Sequence, residues 1–352
     1  MSLAEQIRAI PKVELHLHLE GSVQPQTLLE LAERNRVELP CKTLEQVRPL
    51  FHYKNFRQFA EVIIMTGRCL KRPEDFALVV RRMAAELAGQ NVQYAEVFWT
   101  PQLYLMGGLA LSDVLAGLNE GRAAVLKQYG VQLRWMPDIV RSLPPPDDRV
   151  VAWLCGDEAR RGGVVALGLG GPEAGHPPEK FQQVFDRARA AGVPANPHAG
   201  EAAGPESVWG ALKALKAVRI GHGVRAIEDA ALVKHLVERR IPLEVCPTSN
   251  LRLGIYPSYG EHPLKRLVEA GCVVTINSDD PVLFDTTLTD EYRHALQDCG
   301  LTLKQLEAAA LNAVTRSYLP DDEKAAMLET CRTKWARLRG IEQKDAQEKR
   351  KN

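Results

Sequence analysis

Short apolar runs rich in β-branched residues alternate along the chain with longer stretches in which apolar positions recur every three or four residues. That alternation marks repeated strand–helix units on a parallel sheet. Eight strands are expected, over 12–18, 92–99, 131–139, 164–169, 193–198, 218–222, 241–246 and 272–277. Helical periodicity fills the later intervals, over 179–191, 205–215, 228–238 and 263–270. The first interval is too long for one helix, and 25–36, 55–66 and 73–88 each fit a separate amphipathic helix. The expected fold is therefore an α/β (β/α)₈ TIM barrel with extra helices inserted after strand one, and a doubly wound sheet is the competing arrangement. One domain is expected over 1–340, followed by a charged tail at 341–352 that frays. The run LPPPDD, 143–148, reads as a rigid loop.

Composition narrows the class of function. The 352 residues are 45% apolar and 25% charged, ordinary for a globular chain able to bury a large core. Lysine and arginine total 45 against 44 acidic residues, with no basic block, so no net field draws nucleic acid or anionic lipid. Small-molecule chemistry is the leading class, with neither nucleic acid nor a membrane as partner. Seven cysteines are scattered without a Cys-x-x-Cys spacing and read as reduced thiols. The start, MSLAEQIRAI, has no long apolar core, and nowhere do eighteen apolar residues run together. A cytoplasmic location is expected.

The polar residues carry more information through where they fall. Strands one, five, six and eight each run into a histidine or an aspartate at the C-terminal end, which is the catalytic face of a barrel. His16 and His18, two apart on strand one, point to one side of the sheet and can grip one ion. Alone, such a pair is more often structural. His198 ends strand five in PHAGE, His222 ends strand six in RIGHG, and Asp279 with Asp280 follows strand eight in INSDDP. Neutral imidazoles plus a carboxylate, with a position left for water, make a catalytic and not a structural zinc arrangement. Each residue has a bland alternative: His222 as a satisfied buried histidine, Glu201 as an acid beside a helix dipole, Asp280 as the cap before Pro281. Four strand ends that all carry ligands or acid–base groups are harder to explain that way. His52, His176, His235, His262 and His294 read as solvated or locally bonded imidazoles without a role. Gly168, Gly170 and Gly171 bring backbone close to whatever binds above strand four, or simply make a tight turn.

Together PKVELHLHLEGS, GLGGPE, PHAGE, RIGHG, LEVCPTSN and TINSDDP resemble the adenosine deaminase family, in the same order and over roughly residues 8 to 340. The resemblance implies a (β/α)₈ barrel of the amidohydrolase superfamily with one zinc ion held by His16, His18, His198 and Asp279. It further implies that His222 orients or deprotonates the zinc-bound water, Glu201 protonates purine N1, Asp280 holds N7 and the Gly171 backbone meets N3. The chemistry is coherent, because bound zinc lowers the pKa of its water from about 15.7 to about 7. Attack at C6 then needs N1 protonated, and Glu201, about one helix turn beyond a ligand histidine, is placed to act as general acid.

Two departures bear on substrate. Where the family typically has His-Leu-Asp-Gly, with the aspartate near the ribose 5′-hydroxyl, this chain has HLEG with Glu20. Adenine deaminases of the family carry that glutamate but usually a serine- or aspartate-rich sequence in place of GLGGPE. The wording is most similar to members that deaminate 6-amino-6-deoxyfutalosine, a 5′-extended adenine nucleoside of menaquinone synthesis. The expected reaction is hydrolytic deamination of such a nucleoside or of adenosine. Free adenine as substrate and a non-catalytic nucleoside-binding barrel are the alternatives. The two-metal amidohydrolases commonly use a carboxylated lysine, and no lysine ends a strand here. The cytidine deaminase signature, His-x-Glu followed by Pro-Cys-x-x-Cys, is absent from the sequence.

Overall fold

The computed structural model describes residues 3–51, 53, 56–143 and 148–349. Eight parallel strands pair in chain order: β1 (Lys12–His18), β2 (Val92–Trp99), β3 (Gln132–Val140), β4 (Leu167–Gly170), β5 (Ala195–Ala199), β6 (Ile220–His222), β7 (Pro242–Val245) and β8 (Val273–Ile276). The sheet closes on itself just beyond β8. Asp279 N–H donates to the His16 carbonyl at 3.0 Å and His18 N–H donates to the Asp279 carbonyl at 2.8 Å. Sequential order and closure exclude the doubly wound sheet. Val164, expected to open strand four, forms only an isolated bridge to Trp135, and regular pairing begins at Leu167.

The expected insertion lies between β1 and β2 as the helices Pro25–Asn35, Phe56–Cys69 and Pro73–Gly89. Proline opens the first and third of these, at the position where its missing N–H costs nothing. The expected 179–191 helix is instead a 3₁₀ turn, Pro178–Phe181, leading into the helix Gln182–Ala190. Most of the LPPPDD loop, 144–147, and His52 lie outside the described residues. The last helix, Asp321–Lys349, runs across residue 340 and packs Cys331, Trp335 and Leu338 into the apolar core. No helix among the described residues is long and apolar enough to cross a membrane, and all seven cysteines are free thiols.

A polar network lies beneath the catalytic end, held together by buried pairing. Arg219 forms an ion pair with Glu96 and, from Nε, with Glu244 at 2.7 Å, and Glu244 also accepts from Asn196 at 3.1 Å. Charges removed from water persist only when paired and hydrogen-bonded, so these side chains depend on one another. Glu244 reaches upward to His16 Nδ1 at 2.9 Å and joins this network to the site. A register shift in β1 between Glu14 and Leu17 interrupts the strand's regular pairing just before the histidines, a recurrent device for aiming side chains near active sites.

Candidate active site

β1, β5 and the turn after β8 deliver four donors to one point at the C-terminal end of the barrel: His16, His18, His198 and Asp279, whose ligand atoms all lie within 4.8 Å of one another. His18 Nε2 is 3.1 Å from His198 Nε2 and 3.3 Å from Asp279 Oδ1, and His16 Nε2 is 3.4 Å from the same oxygen. Bonds of about 2.0–2.1 Å at tetrahedral angles put zinc donors about 3.3 Å apart, so the spacing fits one zinc ion. His16 Nε2 and His198 Nδ1 are buried with no hydrogen-bond partner, and an unpartnered His16 Nε2 is what an open ligand position requires. Asp279 itself holds a left-handed backbone, φ +64°, as does His222, φ +58°. Such strain in non-glycine residues is kept where the surroundings fix it, and it concentrates at functional sites.

Around the cluster lies a cavity of about 510 Å³. It is lined by His222, Glu201, Asp280, Glu20, Gly170 and Gly171, so the histidines and carboxylates expected to act together either form the cluster or line this cavity, whereas Gly168 does neither. His222 Nε2 is 3.6 Å from Glu201 Oε1 and 3.7 Å from Asp279 Oδ2. Gly21 of HLEG is there because a Cβ at that position would stand 1.8 Å from Asp280 Oδ1. Glu20 is buried and fixed through Oε1 by the Tyr104 hydroxyl at 2.7 Å and the Thr100 N–H at 2.9 Å. The Phe56–Cys69 helix lines the cavity with the apolar Phe56, Phe59, Ala60 and Ile63 and the charged Arg57 and Glu61, and Leu103, Leu143 and Leu253 add further apolar surface.

The adenosine deaminase family model matches residues 11–334. The chain belongs to the adenosine deaminase family. Over 333 residues it is 40% identical to an aminodeoxyfutalosine deaminase of Streptomyces avermitilis, covering 94% of this chain and 93% of that one. It is 36% identical over 322 residues to an adenine deaminase of Hahella chejuensis, covering 92% and 96%. An amidohydrolase structure from Burkhoderia ambifaria with bound zinc superposes with a TM-score of 0.87 at 26% identity, over 97% of this chain and 95% of that chain. This deaminase thus shares its fold with solved relatives, one of which holds zinc, and its His/His/His/Asp cluster fits one zinc ion.

Electrostatics sort the site's titratable groups into distinct states. Burial holds the His18 imidazole down to about 4 and His198 well below its ordinary value, which leaves both neutral and able to ligate. Burial also lowers His16, but the neighbouring Asp279 and Glu244 carboxylates outweigh that and raise it to about 9. Burial, with Asp279 and then Glu173 nearby, pushes the Glu201 carboxyl well above the usual carboxylate range. Burial and the adjacent Asp279 do the same to Asp280. Asp279, despite burial, is held far down by His16, His222 and His18. One carboxylate stays ionised beside two carboxylic acids, the division of labour that acid–base chemistry needs.

Several residues of the site escaped the sequence reading. Glu173, the last residue of GLGGPE, grips the loop that carries Glu201: Oε1 accepts from Gly200 N–H (2.8 Å) and the Ser207 hydroxyl (2.7 Å), and Oε2 from the N–H groups of Glu201, Ala202 and Ala203 at 3.0, 2.6 and 2.7 Å. No local signal marks it, because its partners belong to the next strand's loop. Glu244 could have been noticed as a lone carboxylate in the buried strand LEV. Asp138, whose pKa burial raises to about 8, lines the cavity beside Thr100. His262, read as a loop imidazole without a role, is buried and bonded to Asn250, which in turn bonds His222. His176, His235 and His294 are half-buried.

Replacing Glu173 by glutamine is expected to lower kcat about tenfold to a hundredfold with zinc content unchanged, since an amide offers one accepting oxygen where five donors converge. The lost charge also lowers the Glu201 pKa, so the alkaline limb of the pH–kcat profile should move to lower pH. An unmoved limb would detach Glu173 from Glu201.

Proposed function

We propose that this deaminase hydrolyses the 6-amino group of an adenine nucleoside carrying an extended, largely apolar 5′ substituent, with 6-amino-6-deoxyfutalosine the favoured substrate and adenosine the runner-up. The cavity carries the reading: about 510 Å³ suits a drug-sized ligand more than a bare base, and beyond the purine-binding residues it is lined mostly by apolar side chains, with Arg57 and Glu61 among them. The 40% identity to an aminodeoxyfutalosine deaminase supports the same choice. The site is consistent with a small-molecule substrate in a protein of the cytoplasm.

In this reading His16, His18, His198 and Asp279 hold zinc, which when bound supplies hydroxide at neutral pH. The purine binds with N1 toward Glu201, whose raised pKa keeps the carboxyl protonated and able to pass its proton to N1. Asp280, kept protonated by burial and by Asp279, donates a hydrogen bond to N7, which can only accept. At Gly171, φ +83°, a side chain would be strained and would press on Val140 at 3.0 Å, and the backbone N–H would meet N3. Water adds at C6, the C6–N bond breaks, and ammonia leaves with a 6-oxopurine.

The test compares 6-amino-6-deoxyfutalosine, adenosine and adenine by the absorbance change from 6-amino- to 6-oxopurine. Highest kcat/KM for the 5′-extended nucleoside is expected. Preference for adenosine would show that Glu20 tolerates a plain ribose, and turnover of adenine alone would transfer the assignment to the free base.

A further inference from the structure

A line of hydrogen bonds leaves the active site through His222. Asn250 Nδ2 lies 3.3 Å from His222 Nδ1, Asn250 Oδ1 lies 3.1 Å from His262 Nε2, and the Leu264 backbone N–H donates to His262 Nδ1 at 3.2 Å. All three side chains are buried, His222 at 1% exposure, Asn250 at 0% and His262 at 4%. No solvent competes for these groups.

The line admits one consistent placement of hydrogens. A backbone N–H can only donate, so His262 Nδ1 must present its lone pair. A neutral imidazole carries a single N–H, which places the His262 hydrogen on Nε2, donating to Asn250 Oδ1. Burial, followed by the neighbouring His222, holds His262 down to about 3, in keeping with a neutral ring. The Asn250 amide is thereby oriented, its Nδ2 hydrogens face His222, and His222 Nδ1 has to accept. The His222 hydrogen then sits on Nε2. Turning the Asn250 amide over would require His262 to accept at both nitrogens and carry no hydrogen at all, a charged ring with no cation bonded to it. The surroundings of His222 Nε2 agree, since the oxygens nearest to it, Glu201 Oε1 at 3.6 Å and Asp279 Oδ2 at 3.7 Å, belong to carboxyl groups able to accept.

We propose that Asn250 and His262 are positioning residues that lock His222 in its Nε2–H tautomer, with that hydrogen on the side of Glu201 and Asp279. The direction is set by a single backbone N–H, that of Leu264, three hydrogen bonds away from His222. The kinetic consequence rests on the deamination proposed above; the tautomer does not.

The test is long-range ¹H–¹⁵N correlation NMR of the full chain labelled at its histidine rings, zinc-loaded and metal-depleted, with the His222 signals assigned by their loss in His222→Gln. Hydrogen on Nε2 and a bare Nδ1 are expected in the wild type. Hydrogen on Nδ1 would overturn the proposal, whether or not Asn250 variants fold and whether or not any 6-aminopurine is turned over. Asn250→Asp presents acceptors to both rings, so His222 Nδ1 should gain a hydrogen. With zinc content and KM nearly unchanged, kcat should fall about tenfold to a hundredfold, as changes to the groups that orient a site histidine do. A His222 spectrum unmoved by Asn250→Asp would show that Asn250 does not set the tautomer and would equally sink the idea.

Discussion

Replacing Glu201 with glutamine is expected to lower kcat by on the order of 10³-fold while zinc stays fully bound. General acids contribute about 10²–10⁴ in rate, and the carboxamide keeps the shape of the side chain while losing the transferable proton. Glu201 is set up for that role by its position. Its Oε1 is buried without a hydrogen-bond partner, and its loop is fixed by the five donors on Glu173. Burial, Asp279 and Glu173 together raise its pKa far above the carboxylate range, so the acid form persists at neutral pH. The sign of the pH dependence follows. With the protonated carboxyl as the active form, as proposed above, kcat should hold below the Glu201 pKa and fall as pH rises through it. In Glu201→Gln that alkaline limb should vanish from the residual rate. Zinc content measured on the purified variant separates this from a ligand role: metal lost with Glu201 would mean that the side chain holds the ion.

The strands were legible because apolar runs bounded by turns recur eight times, and the histidines because they sit where those runs end. Strand ends converge in a closed barrel, so residues far apart in sequence could be grouped without knowing the contacts. What stayed hidden was everything that acts across strands. Glu173 bonds a loop 27 to 34 residues away, and Glu244 bonds His16 across 228 residues. Neither has a periodic or spacing signature, and each is recognisable only once burial shows that a carboxylate must find partners. His262 was read as a solvated or locally bonded ring, and it is locally bonded: the turn at Tyr259 to Leu264 buries it against Asn250, a link to His222 that no sequence signal showed. The apolar lining was also out of reach, because the Phe56–Cys69 helix reads the same whether its apolar face meets the core or a ligand.

Removing His16 should have the second large effect, a loss of both zinc and deamination. The four donors proposed for the ion come from three separate parts of the chain, and His16 is the one tied to the barrel interior: its Nδ1 is bonded to Glu244, which Arg219 holds in place. That bond fixes the ring so that Nε2 faces the cluster, and the carboxylate makes the imidazole a more basic donor. His16→Ala therefore deletes a ligand, whereas Glu244→Gln leaves the ligand and weakens its orientation and charge. Metal affinity in Glu244→Gln should drop about tenfold to a hundredfold, and added zinc should restore turnover. His16→Ala should remain nearly metal-free and inactive at the same zinc concentration. Full zinc content in purified His16→Ala would remove His16 from the ligand set. Equal behaviour of the two variants would instead mean that the buried Glu244–Arg219 pairing, and not His16 itself, is what shapes the metal site.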